Sequence, residues 1–204
     1  EILRCLVGSE MCIRDRHCTE PVCDLACPSL VETTYLLERN HIDMQNSVYN
    51  TSRKILDRVC EILDHAENKL CTVETNDTIA SSNLLTYCAI CKHWKGNRLH
   101  CNVYHLNFSS YLDNIQKSWS AKDTPEDLEY AQIWSSTAKV LIISNIDYVQ
   151  FKDFQAQTLL NLIHNRQASN LTTIIVSPKV NSLIGSGLFF NKLQSVLRGA
   201  VMSA

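Results

Sequence analysis

The stretch from Lys139 to Pro178, KVLIISNIDYVQFKDFQAQTLLNLIHNRQASNLTTIIVSP, constrains the fold more than any other part of the chain. It opens on Val140, Leu141, Ile142 and Ile143, a branched apolar run too short for a typical helix, which predicts a strand buried on both faces. A second such run, Thr172 to Val176, closes it. Between them Phe154, Leu159, Leu160, Leu162 and Ile163 recur at helical spacing and predict an amphipathic helix. Strand, helix and strand in that order make a βαβ unit. Such units imply a parallel sheet whose ligands bind beyond the carboxyl ends of its strands. Here those ends are Ser144-Asn145-Ile146-Asp147 and Ser177-Pro178.

A chain of 204 residues with 45% hydrophobic content builds one medium domain, or a domain with a small appendage. Its net charge of −2 supplies no general field for nucleic acid, so any such contact needs a local patch or a partner. No segment holds the roughly 20 uninterrupted apolar residues of a membrane helix. A soluble, cytoplasmic protein is expected. Ten cysteines are many, but several sit in apolar helical or strand-like segments with no secretory signal before them, which favours reduced thiols. At the amino end, CLVGSEMCIRDR resembles translated adapter sequence. Residues 1–16 are therefore set aside as non-native, with Cys5 and Cys12, and the native start is expected to be missing.

Residues 17–66 read as a cysteine-containing helical region. His17, Cys18, Cys23 and Cys27 fall within a dozen residues, and thiolates with an imidazole suit a tetrahedral zinc shell that closes a loop lacking its own core. The spacing C-x4-C-x3-C is not a standard zinc knuckle, and free cysteines ahead of a helix are the other reading. Pro28 then opens a helix with Leu30, Val31, Tyr35, Leu36 and Leu37 on one face. Asp43 to Thr51 is a polar linker. A packing helix from about Ser52 carries Ile55, Leu56, Val59, Cys60 and Leu63 on one side.

From residue 67 onward the pattern is α/β. Lys69 to Val73 predicts a strand, Glu74 to Ala80 a polar loop, and Ser81 to Trp94 a helix, which is the setting of a phosphate-binding loop. The consensus G-x-x-x-x-G-K-[ST] is absent. No glycine stands between Gly8 and Gly96, and no lysine between Lys69 and Lys92. Cys88 and Cys91 form a C-x-x-C followed by His93, His100, Cys101 and His105. That set suits zinc or redox chemistry, but its helical spacing with Leu84 and Leu85 favours plain packing. His100 to Leu106 predicts the next strand, and Phe108 to Trp119 a helix through Tyr111, Leu112 and Ile115. Tyr104, Phe108, Tyr111 and Trp119 offer rings for base stacking, although each sits at core spacing. Thr124-Pro125-Glu126-Asp127 is a helix start with Thr124 as cap and Asp127 as capping-box acid. Beyond the βαβ unit come a Ser/Gly-punctuated segment, Val180 to Gly187, a helix, Leu188 to Leu197, and a last edge strand, Gly199 to Ala204, where the domain is expected to be truncated.

This order of elements resembles the AAA+ domain of bacterial and phage replicative helicase loaders of the DnaC/DnaI type. The segments that carry the likeness are CPSLVETTYLLERNHI (27–42), HWKG (93–96), NFSSYLDNIQKSW (107–119) and LLNLIHNRQASNLTTIIVSP (159–178). The resemblance covers residues 17 to 204 and implies a P-loop NTPase-like three-layer fold, a mostly parallel sheet with helices on both faces, over residues 67–204. It also implies ATP or ADP with magnesium as cofactor. Carried over position by position, the Walker A Gly-Lys falls on Asp77-Thr78, with Ser81 and Ser82 the nearest hydroxyls for a metal ion. The Walker B acidic pair falls on Ser144 and Asn145, leaving Asp147 as the carboxylate within reach. Sensor 1 falls on Ser177, and the arginine finger on Asn191 or Lys192, with Arg198 as the alternative.

Phosphoryl transfer needs positive charge on the phosphates and a carboxylate that organises magnesium. Both are missing from their places here. The expectation is therefore a primosome-type protein that contacts a replicative helicase through its N-terminal segment and single-stranded DNA through its body. It is expected to have weakened or lost ATP hydrolysis, with homo-oligomers open. Two alternatives stand beside it: an active loader whose P-loop is obscured by divergence or sequence error, and a non-hydrolysing clamp-loader-type subunit.

Overall fold

A computed structural model describes residues 53–67, 69–93, 102–120 and 126–202. The proposed zinc ligands His17, Cys18, Cys23 and Cys27, the helix from Pro28, most of the HWKG turn, His100, Cys101 and the Thr124-Pro125 cap lie outside these residues. The elements run α1 (Arg53–His65), β1 (Leu70–Glu74), α2 (Thr78–His93), β2 (Val103–Asn107), α3 (Phe108–Ser118) and α4 (Glu126–Thr137). They continue with β3 (Val140–Ser144), α5 (Asp153–Ala168), β4 (Thr172–Ser177), a short 3-10 turn (Val180–Ser182) and α6 (Leu188–Gly199).

The sheet is parallel throughout, in the order β1-β4-β3-β2. Its central strands are the apolar runs of the βαβ unit, and every residue of β3 and β4 is buried. Side chains alternate across the sheet, so each strand serves two cores. Cys71, Val103, Val140, Ile142, Ile174 and Val176 face α1 and α2. Tyr104, Leu106, Leu141, Ile143 and Ile175 face the other side, where α3, α4, α5 and α6 pack. The result is three layers, helices, sheet and helices. Each Val, Leu or Ile so enclosed contributes about 2 kcal/mol through the hydrophobic effect. Burial pushes the Cys71 thiol up to about 11, so it stays protonated and unreactive at neutral pH. Cys88 is 1% exposed in the same layer, which agrees with its packing role in the C-x-x-C.

Several boundaries depart from the sequence expectation. Helix α2 starts at Thr78, not Ser81, because the Asp77 carboxylate accepts the Ala80 N–H at 2.9 Å and caps the helix there. Strand β2 starts at Val103 rather than His100. The last edge strand reduces to a bridge, Val201 beside Thr72, so it lies at the expected edge without becoming a strand. Phe154 does not face the core. It is 37% exposed and packs edge-on against Trp119, itself 67% exposed, with ring centroids 5.2 Å apart.

Among the described residues one charged side chain is wholly enclosed. Arg166 is 0% exposed, and its guanidinium donates to Thr173 Oγ1 at 2.9 Å, to the Ser135 carbonyl at 2.8 Å and to the Thr172 carbonyl at 2.5 Å. These partners belong to β4 and to the last turn of α4, so one fork joins α4, α5 and the start of β4. Loss of hydration pulls its pKa down to about 10. Replacing it with methionine keeps the volume but leaves three buried acceptors without a donor. Arg166→Met is expected to cost about 3 kcal/mol or more, seen as a lower urea midpoint with an unchanged m-value. A loss below about 1 kcal/mol would show that the fork holds nothing together.

Candidate functional site

In an open parallel sheet, ligands bind where the connections leave adjacent strands in opposite directions. That point lies between β1 and β4. The β1 connection crosses one face through α2, while β4 leads to α6 on the other face. At the carboxyl mouth the two strands are tied by the protein itself. The Thr75 N–H donates to the Ser177 carbonyl at 2.9 Å. The Val180 N–H, from the turn after β4, donates to Glu74 Oε1 at 2.7 Å.

Between β1 and α2 stand only Thr75, Asn76 and Asp77. That is too little chain, and without glycine, to aim successive amides at a phosphate. Several of the amides there are also engaged by the chain itself. Asp77 caps the helix as described, Thr75 Oγ1 accepts the Asp77 N–H at 3.3 Å, and the Thr75 and Ser81 hydroxyls share a hydrogen bond of 3.1 Å. A carboxylate thus sits on the helix N-terminus, the place a phosphate would take by the same dipole and amide attraction. Thr78 is buried at the first helical position, and the Ser82 hydroxyl is buried and donates to the Ile79 carbonyl at 2.9 Å. A nucleotide triphosphate fits this arrangement poorly.

On the neighbouring strands, Ser144 is buried and its hydroxyl lies 2.7 Å from His105 Nε2. Asn145 follows it with a φ of 58°, the left-handed region that asparagine tolerates better than most residues. Asp147 holds one buried carboxylate oxygen that has no hydrogen-bond partner among the described residues, and the buried Ser177 hydroxyl is in the same condition. Ser81, Ser144 and Ser177 thus lie toward the carboxyl edge of the sheet with Asp77. Lys192 is elsewhere engaged: it is exposed on α6 with Nζ 5.6 Å from the ring of Phe189. Arg198 donates to Asn181 Oδ1 at 2.8 Å.

Beside the mouth, an open cleft of about 430 Å³ is lined by Arg58, Val73, Glu74, Thr75, Ser81 and Met202, among others. Sequence reading singled out neither Glu74 nor Thr75 as more than loop. The available signal was a carboxylate ending a predicted strand beside the candidate phosphate loop, where a binding loop would avoid negative charge.

The class these features define is a three-layer α/β fold built on a parallel sheet. No protein-family model and no curated protein matches the chain. Among solved structures it is similar to the crystal structure of a DNA replication initiation factor, with a TM-score of 0.55 and 11% identity over 79% of this chain. The match covers 50% of that protein, so the chain spans about half its length. At such identity the likeness is one of fold. No helix among the described residues is long and apolar enough to cross a membrane.

Asp77→Ala removes both the cap and the negative charge at the helix N-terminus. It is expected to lower stability by about 1 kcal/mol while raising affinity for inorganic phosphate. Asp77→Asn keeps an acceptor and is expected to lose less. A variant that loses stability yet gains no phosphate affinity would show that the carboxylate does not exclude the anion.

Proposed function

We propose that this chain is a DNA-replication protein of the AAA+-like fold that works through contacts with other proteins and turns over little or no ATP. The observation that carries the reading is the Asp77 carboxylate seated on the N-terminus of α2, with Ser144 and Asn145 where catalysis would need acids. The likeness to a replication initiation factor supports the replication setting. The segments that resemble helicase loaders support the finer assignment. In it, the protein contacts a replicative helicase in the cytoplasm as part of a primosome, and single-stranded DNA is a secondary ligand. Residues 17–66 form the helicase-contacting region, with zinc on His17, Cys18, Cys23 and Cys27. Residues 67–204 form the body, which self-associates if it keeps the habit of its fold.

Full-length protein is expected to release no phosphate from ATP above background, and to co-purify with a replicative helicase. ATP turnover that disappears in Asp147→Asn would overturn the non-hydrolysing part. Recovery with sliding-clamp machinery instead of helicase would overturn the loader assignment and favour a clamp-loader-type subunit. Zinc is checked by metal analysis, where stoichiometric metal lost in Cys23→Ser supports the site and a metal-free folded protein removes it.

A further inference from the structure

A second concave site lies away from the β1/β4 mouth, between the outer strand β2 and helices α3 and α4. It is a cleft of about 420 Å³ whose lining includes Tyr104, Tyr111, Tyr130, Asn107, Asn114 and Asp127. Tyr104 and Tyr130 meet nearly perpendicular, with ring centroids 6.1 Å apart. Tyr130 also leans on Trp134 at 5.9 Å, which fixes its orientation. Tyr111 and Tyr130 are the partly open rings, and Tyr130 is 39% exposed. Among the described residues no lysine or arginine lines the cleft, and His105, which also lines it, lies 2.7 Å from Ser144 Oγ. The Asn107 side chain is taken up in capping α3, accepting the Ser110 N–H at 3.2 Å.

Glu126, Asp127 and Glu129 occupy the first turn of α4, and the helix dipole alone accounts for acids there. It does not account for the tyrosines, nor for Asp127 being the acid that lines their cleft. Aromatic faces carry negative quadrupole charge and attract cations, most of all beside a carboxylate. We infer that this tyrosine-lined cleft binds a lysine or arginine side chain presented by a basic segment of a partner protein. Asp127 pairs with the charge, Tyr111 and Tyr130 flank the aliphatic stem and the cationic head, and Asn114 offers a further polar contact. The negative cleft disfavours a nucleic-acid backbone. The inference goes beyond the proposed function and holds whichever replication partner is bound.

The test is an NMR titration of the full chain with N-acetyl-arginine amide and N-acetyl-lysine amide, using neutral N-acetyl-norleucine amide as control. Both cations are expected to shift the Asp127, Tyr130 and Asn114 resonances, the control is not, and binding is expected to weaken as salt rises. Asp127→Asn is expected to reduce affinity about three- to tenfold and Tyr130→Leu by a similar factor, with thermal melts confirming that both variants fold. The inference is overturned if the cations leave these resonances unmoved at about 200 mM, the range that an exposed cation–π contact supports by itself. It is equally overturned if norleucine amide binds as well, if Asp127→Asn changes nothing, or if a single-stranded oligothymidine shifts the same resonances more tightly than either cation.

Discussion

A buried guanidinium, paired among the described residues with neutral oxygens and no carboxylate, holds the amino end of the sheet in place. Arg166 leaves the last turn of α5 and spends its donors on oxygens of Thr172, Thr173 and Ser135. Burying a charge costs several kcal/mol unless donors and acceptors are matched, so this side chain is tolerated only while all three elements stand where they do. The Ser135 carbonyl belongs to the last turn of α4, whose final carbonyls lack intrahelical donors. The fork therefore caps one helix, anchors another and fixes the entry of β4 in a single arrangement. Because β4 lies between β1 and β3, its position sets the register of the whole sheet.

With the amino end fixed, the carboxyl ends of the strands are presented as one rigid edge. On most such edges, backbone amides are left for a ligand. Here the protein fills them from its own sequence. Asp77 takes the helix N-terminus, Glu74 takes the Val180 amide, and Thr75 bonds across to Ser177. Each of these bonds stabilises the closed mouth by about 1 kcal/mol, and each engages a group at the edge where a parallel sheet presents its ligand site.

The central architecture was legible in the sequence because it rests on periodicity. Val140 to Ile143 and Thr172 to Val176 are buried from both sides, and a fully buried strand leaves an apolar run that needs no context to be read. The helix ends were less legible. Asp77 looked like loop, since a capping residue is defined by the backbone direction it interrupts and not by its neighbours' polarity. Phe154 sits at core spacing yet faces outward to Trp119, because a helix's first turn projects beyond the sheet it packs on. A mostly parallel sheet with helices on both faces was expected from an ordered set of segments, and the arrangement of layers agrees. The tyrosine cleft could not be read at all, since its rings come from β2, α3 and α4 and their spacing carries no local pattern.

Charge unites these observations. Glu74 and Asp77 stand at the β1/β4 mouth, beside a cleft that Arg58 also lines, and Asp127 stands in the tyrosine cleft. Among the described residues the exposed lysines are Lys69, Lys117, Lys139, Lys152, Lys179 and Lys192, of which Lys69 and Lys139 both stand at the amino edge of the sheet. Carboxylates at the mouth and in the tyrosine cleft, held on one rigid parallel sheet, favour cationic over phosphate groups at those two places.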